Sequence, residues 1–367
     1  MTEAPNPVTM NQDPTAGLEG VVAAVTRLSN VDGQNGILIL KGEKIEDLAG
    51  KIPFEDAVGH LWQDLNLTGV SSISTGFADA RMAAFDVVPL LERAPAALSV
   101  YELMQLGLTA LPGHAELPEA IAICGSLPVF LAAAHRISKN LHPIAPDPSL
   151  DTATDLLRML TGSTPSSEEA DALDRYLVTI LDHGLNASTF TARVIGSTRA
   201  GLKQSVLGAM GALSGPLHGG APGPVLDMID AIGAPDNAAS WITGALARKE
   251  RLMGFGHRIY RTRDPRADVL KAGLHLLGAS NPKVQLAEKI EAAALAALRR
   301  AKPDRPLDTN VEFYTAVLLD AVGIDRTLFT PLFATGRAAG WCAHVLEQQT
   351  TGKLIRPSSQ YVGPMPE

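Results

Sequence analysis

Gly and Pro fall between segments of about 10 to 20 residues that are rich in Ala and Leu, a length that suits packed helices and exceeds an ordinary strand. Only 5% of the residues are aromatic, so the packing surfaces must be built mainly from small and aliphatic side chains. Strand character is confined to Gly36-Ile37-Leu38-Ile39-Leu40, an apolar run bounded by Asp32-Gly33 and Gly42, which predicts a small N-terminal hairpin. The fold class expected is therefore all-α, and 367 residues suffice for about two domains.

The function classes that composition excludes narrow the field. A formal net charge of -8 argues against general nucleic-acid binding, which needs a basic surface, so any anion site must be local. The two cysteines, Cys124 and Cys342, lie in unrelated contexts without metal-ligand or disulfide spacing, and both read as reduced core residues. His135 and His142 stand seven apart on one expected helix, which is not a ligand spacing, so no metal site is expected. No Gly-x-Ser-x-Gly elbow points to a serine nucleophile. Residues 1–16 have neither a basic start nor an apolar run and read as a disordered tail rather than a signal peptide. The longest apolar stretch, Ala120 to Ala134, falls short of the roughly 18 residues of a membrane span and is broken by Gly125, Ser126 and Pro128. A soluble, cytoplasmic protein without membrane or nucleic-acid partners is expected.

Breakers bracket the second half closely enough to place its motifs. A helix over 203–213 should stop at Ser214-Gly215-Pro216 and the next should start near Pro222, which leaves His218 between them. A helix over 239–251 should end before Gly254-Phe255-Gly256, and Asp264-Pro265 should cap and open a helix over 265–277. Asp308 or Thr309 can cap a helix whose face is Tyr314, Val317, Leu318 and Ala321, with Glu312 in its first turn. From Pro331 to Gln348 runs a long apolar helix with Gly336 and Gly340 on a close-packing face, and Arg337 within it needs an anionic partner.

Three strings carry chemistry-bearing residues. GFGHRIYRTRDPRA (254–267) concentrates arginines and His257 in a helix-breaking loop, where guanidinium forks and a helix N-terminus can bind carboxylates or phosphates. GPLHGGA (215–221) presents His218 among glycines that let backbone approach a ligand. TNVEFY (309–314) sets Glu312 among apolar neighbours, where desolvation would raise its pKa toward that of a useful base. Taken singly, each has a plainer explanation: a solvated basic loop, a capping histidine, an acid favoured by a helix dipole.

Together and in this order, the strings resemble the catalytic signatures of the citrate synthase family. The likeness extends to GLEGV (17–21), to HGLNASTF (183–190) and to KLIRP with YVG (353–363), and runs over about residues 17 to 363, weakly between 60 and 170. The resemblance implies condensation of acetyl-CoA with oxaloacetate to citrate, with no cofactor beyond the thioester substrate. It implies His218, His257 and Glu312 as catalytic residues and His183, Arg266, Arg337 and Arg356 as oxaloacetate ligands, with Arg356 entering the partner's site in a homodimer. Arg261, and with less support Arg258 and Lys249, would face coenzyme A. A large domain of 17–218 with 321–367 and a small one of 219–320, closing on substrate, are implied as well. The family usually carries aspartate where this chain has Glu312. Propionyl-CoA as the acyl donor, giving 2-methylcitrate, and a non-catalytic binding protein on the same fold remain open alternatives.

Overall fold

A computed structural model describes residues 18, 20–65, 72–113, 118–219, 222–257, 259–278, 282–303, 307–359, 361 and 363–366. The expected tail 1–16, Arg258 and Gly220-Ala221 lie outside them. Among the described residues, sixteen α-helices follow one three-stranded antiparallel sheet. In that sheet β1 (Ser29–Asp32) pairs with β2 (Ile37–Leu40), Ser29 opposite Leu40 and Asp32 opposite Ile37. Leu38 and Leu40 point into the core while Ile37 and Ile39 stay half-exposed, the alternation of a one-sided strand. Asp32 turns the hairpin by accepting the Gln34 and Asn35 backbone N–H groups. The expected hairpin gains a third strand, β3 (Glu43–Lys44), whose two exposed side chains carry no alternation a sequence reader could detect.

The core is organised round two long apolar helices. Glu119–Ser138 is longer than its apolar run suggests, and it is the one described helix long and apolar enough to cross a membrane. Yet 83% of that apolar stretch is buried inside the fold, packed against neighbouring helices. It ends at Ser138, with Asn140 at a φ of 56°, so His142 falls in the following loop rather than on the helix shared with His135. The other is Phe329–Thr351, wholly buried over most of its length. A Cβ on its Gly340 would run into the Leu181 carbonyl, and one on Gly336 would lie 2.7 Å from the Ile180 side chain. The two glycines thus let this helix settle directly on the 177–182 segment, which continues into His183. Cys124 and Cys342, far apart in sequence, meet between the two long helices with their sulfurs 3.9 Å apart, both buried as free thiols.

Two expected boundaries move. The 239–251 helix is Ala238–Ala247, because Lys249 adopts a φ of 61° and the Glu250 N–H turns back to the Ala245 carbonyl, closing the helix early. Asn310, rather than Asp308 or Thr309, caps Val311–Ala321 by accepting the Glu312 N–H. Thr309 instead gives its hydroxyl proton to Glu291. The others hold closely: Leu202–Leu213, Pro222–Ile232 and Pro265–Leu276 start and stop at the breakers named above.

Candidate active site

Two stretches more than fifty positions apart are stitched into one frame. Residues 254–256 pair in antiparallel fashion with 308–310: the Gly256 N–H donates to the Asp308 carbonyl at 2.7 Å and the Asn310 N–H to the Gly254 carbonyl at 3.0 Å. The Asn310 side-chain amide adds a bond to the Gly256 carbonyl at 2.8 Å. Gly254 sits at a φ of 82°, and a Cβ there would come within 2.7 Å of Phe313, so only glycine fits. His257, one residue beyond this ladder, and Glu312, two beyond it on the other strand, are therefore held by one rigid element.

Backbone geometry sets the tautomer of His257. Its Nδ1 accepts the N–H groups of Ile259 and Tyr260 at 3.0 and 3.1 Å, so the ring proton must sit on Nε2. Burial, reinforced by Arg266, pushes its pKa down to about 4, so the imidazole is neutral near pH 7 and offers an Nε2–H donor. Its ring meets His183 edge-on at 5.9 Å and Tyr260 at 4.8 Å. His183 Nε2 shares a hydrogen bond of 3.1 Å with the Tyr260 hydroxyl.

The charge around His183 is strongly positive. Burial, then Arg266 and Arg337, hold its pKa well below the ordinary histidine value. Arg266, on the first turn of Pro265–Leu276, is buried and forks onto Asp264 through Nε at 3.0 Å and Nη2 at 2.9 Å. Asp264 also accepts the Val311 N–H at 3.2 Å, joining the N-termini of two helices. Arg337 Nε donates to the Ile180 carbonyl at 2.5 Å, its guanidinium lies 4.6 Å over the Phe333 ring, and no described carboxylate lies within ion-pair distance, so an anion that pairs with it is not among the described side chains. Burial lowers its pKa to about 10, an effect that Asp182 partly opposes. Asp182 itself is held to about 2 against the upward push of burial by His344 and Arg337, and it accepts from His344, Ser29 and the Gly184 N–H.

His218 and Glu312 approach from other elements. The turn after Leu202–Leu213 carries His218, and its Nε2 lies 2.9 Å from the Ser188 hydroxyl. Ser188 also takes the Trp341 indole N–H at 3.2 Å and lies 2.8 Å from Asn186 Oδ1. The hydroxyl has one proton: given to Asn186 it requires Nε2–H on His218, and given to Nε2 it leaves His218 with an outward Nδ1–H donor. Burial lowers the His218 pKa to about 4, aided by Arg337, so this ring is neutral too. Glu312 is half-buried in the first turn of its helix, and burial raises its pKa although Arg266 and Arg251 pull the other way. No hydrogen bond joins His218, His257 and Glu312 to one another among the described residues.

The remaining sequence candidates lie apart. Arg261 donates its backbone N–H to Gly33 at 2.7 Å and lines a cavity of about 490 Å³ with Asn30, Asp32, Gln34 and Ile259. Lys249 is exposed beyond Ala238–Ala247, and Arg356 is exposed on the C-terminal segment without a hydrogen bond or ion pair to a described residue. Sequence reading passed over Ser188, Tyr260 and Asp182. Ser188 and Tyr260 stood inside quoted motifs, so proximity to a candidate histidine was their only signal, while Asp182 precedes His183 directly. Among the described residues, no cluster of His, Cys, Asp and Glu has a metal-binding arrangement.

Comparison with known proteins shows the family. The family profile described as citrate synthase, C-terminal domain, matches residues 17–358. Citrate synthase of Haloferax volcanii is 36% identical, covering 95% of each chain. A 2-methylcitrate synthase of Mycobacterium tuberculosis is 34% identical over 95% of this chain and 90% of its own. The structure of citrate synthase from Thermoplasma acidophilum, a ternary complex with carboxymethyl coenzyme A and oxaloacetate, superposes with a TM-score of 0.82 at 27% identity over 96% of both chains. The chain belongs to the citrate synthase family of acyltransferases.

Proposed function

We propose that this protein condenses acetyl-CoA with oxaloacetate and hydrolyses the resulting thioester to citrate and coenzyme A. The observation that carries the reading is His257: a neutral ring whose only proton is on Nε2, beside His183 and the buried Arg266 guanidinium. That is the group needed to polarise the ketone of a dicarboxylate held by His183, Arg266 and Arg337. Glu312, made more basic by burial, removes a proton from the acyl methyl carbon. His218, with Ser188 giving its proton to Nε2, donates from Nδ1 to the thioester oxygen and stabilises the charge that develops there. The enol carbon attacks the ketone, the new alkoxide takes the proton from His257, and the proton that Glu312 took from the acyl methyl carbon replaces it before the next turnover. Water then cleaves the thioester and releases coenzyme A. No further cofactor enters this scheme, because the thioester is itself a substrate.

Coenzyme A phosphates are assigned to Arg261, with Arg258 and Lys249 assisting. Arg356 completes the oxaloacetate site of a partner subunit in a homodimer, an assignment supported by its exposure and by its having no hydrogen bond or ion pair to a described residue, and the protein works in the cytoplasm. Closure of residues 219–320 on the remainder would exclude water until the carbon–carbon bond has formed. The relative crystallised with carboxymethyl coenzyme A and oxaloacetate supports this pair of ligands.

One further reading is specific. The identity to the 2-methylcitrate synthase, 34%, nearly equals that to the citrate synthase, 36%, so propionyl-CoA is the competing donor. One methylene separates the two by only about 1 to 3 kcal/mol. Release of coenzyme A thiol from each acyl-CoA, with and without oxaloacetate, tests both. Oxaloacetate-dependent release, faster with acetyl-CoA and abolished in Glu312→Gln, is expected. Faster release with propionyl-CoA would replace acetyl-CoA as substrate, and binding of both ligands without any release would make the chain a binding protein.

A further inference from the structure

Glu291 belongs to none of the motifs and lies on Pro282–Ala301, a helix that contributes no candidate site residue. Its carboxylate is nonetheless buried, and it accepts from four donors on three other parts of the chain. Oε1 takes the Thr309 hydroxyl at 2.7 Å and Arg263 Nη1 at 2.7 Å. Oε2 takes the Tyr314 hydroxyl at 2.6 Å and Lys271 Nζ at 2.9 Å. Burial alone would raise its pKa, but these donors hold it at about 2, so it is a fixed anion at any working pH.

The position of each donor gives the carboxylate its meaning. Arg263 ends the loop that carries His257 and stands three residues before Arg266. Thr309 lies in the paired stretch just before Asn310, which caps the helix of Glu312, and Tyr314 is on that helix. Lys271 is on the helix whose first turn carries Arg266. One anion thus ties the parts bearing the proton acceptor, the ketone-polarising histidine and the dicarboxylate-binding arginine.

We infer that Glu291 is a positioning residue, one that sets the distance between Glu312 and His257 from behind the site by holding Thr309 and Arg263 on a single oxygen. The inference rests on the roles proposed above for Glu312 and His257. A carboxylate binds two cations and two hydroxyl protons at once, whereas an amide in its place offers one acceptor oxygen and turns an N–H group toward donors. Released, the loop and the helix start can drift apart, and a misplacement of about 1 Å at a reacting centre costs on the order of 100-fold in rate.

The test compares Glu291→Gln and Thr309→Val with the natural protein, using acetyl-CoA and its α-deuterated form. For Glu291→Gln we expect kcat to fall by about 100-fold with both KM values little changed. The isotope effect on kcat should rise, because proton abstraction becomes the slower step, and Glu291→Asp should recover part of the loss. Thr309→Val removes one bond and no charge, so it should show the same pattern more weakly and carries the test if Glu291→Gln does not fold. Lys289→Gln, on the same helix but exposed, should behave as the natural protein. An unchanged isotope effect in folded Glu291→Gln and Thr309→Val, or a rise in KM alone, overturns the inference. If Glu312→Gln itself retains oxaloacetate-dependent release, the assignment of the base fails instead, which separates the two outcomes.

Discussion

Among the candidate site residues, Glu312 has the surroundings that suit a base. Burial raises its pKa above the ordinary 4.5, while both candidate histidines are pushed down to about 4. A base works only when deprotonated, so kcat should fall as pH drops through the raised carboxylate pKa. A pH–rate profile should place the acid limb above 4.5, and Glu312→Asp should move that limb while His218→Asn lowers the plateau and leaves the limb in place. An acid limb unaltered by Glu312→Asp would assign it to another group. Glu312 was legible as a candidate because a lone acid in TNVEFY sits among apolar residues. Its Asn310 cap was not, because Thr309 is an equally good cap by type and is drawn off by Glu291, nearly twenty residues upstream.

At the scale of elements, the close approach of Phe329–Thr351 to the 177–182 segment positions His183 and Arg337, two residues of the proposed dicarboxylate site. Gly340 lies against Leu181 and Asp182, immediately before His183, and one turn earlier Arg337 reaches the Ile180 carbonyl. Gly340→Ala should therefore cost about 1 to 3 kcal/mol through overpacking against backbone. It should also weaken oxaloacetate binding, because the clash displaces the segment that carries His183. Urea unfolding and oxaloacetate titration measure the two effects; a stability loss with unaltered affinity would separate the packing from the site. The helices themselves were readable, since breakers and apolar spacing act within a turn or two. The early end of Ala238–Ala247 and the strand β3 were not, because a left-handed Lys249 and an exposed Glu43–Lys44 pair leave no pattern of hydrophobicity.

For the whole molecule, the proposed exchange of Arg356 between subunits makes a prediction that depends on assembly. Arg356→Ala and Glu312→Gln should each be nearly inactive alone. Mixed and allowed to exchange subunits, they should regain about one quarter of the natural sites, since half the dimers are hybrids and each hybrid has one intact site. An activity assay after mixing measures this, and no recovery in verified hybrids would place Arg356 outside the partner's site. The amino-acid sequence by itself determined the helical class, most helix boundaries and the residue types available for catalysis, because propensity, capping and periodicity operate over a few neighbouring positions. Only the tertiary structure decided which nitrogen of His257 carries the proton, that Arg337 rests on a carbonyl and a ring, and that Glu291 ties three elements together. Those facts depend on contacts between residues far apart in the chain, whose distances no local pattern encodes.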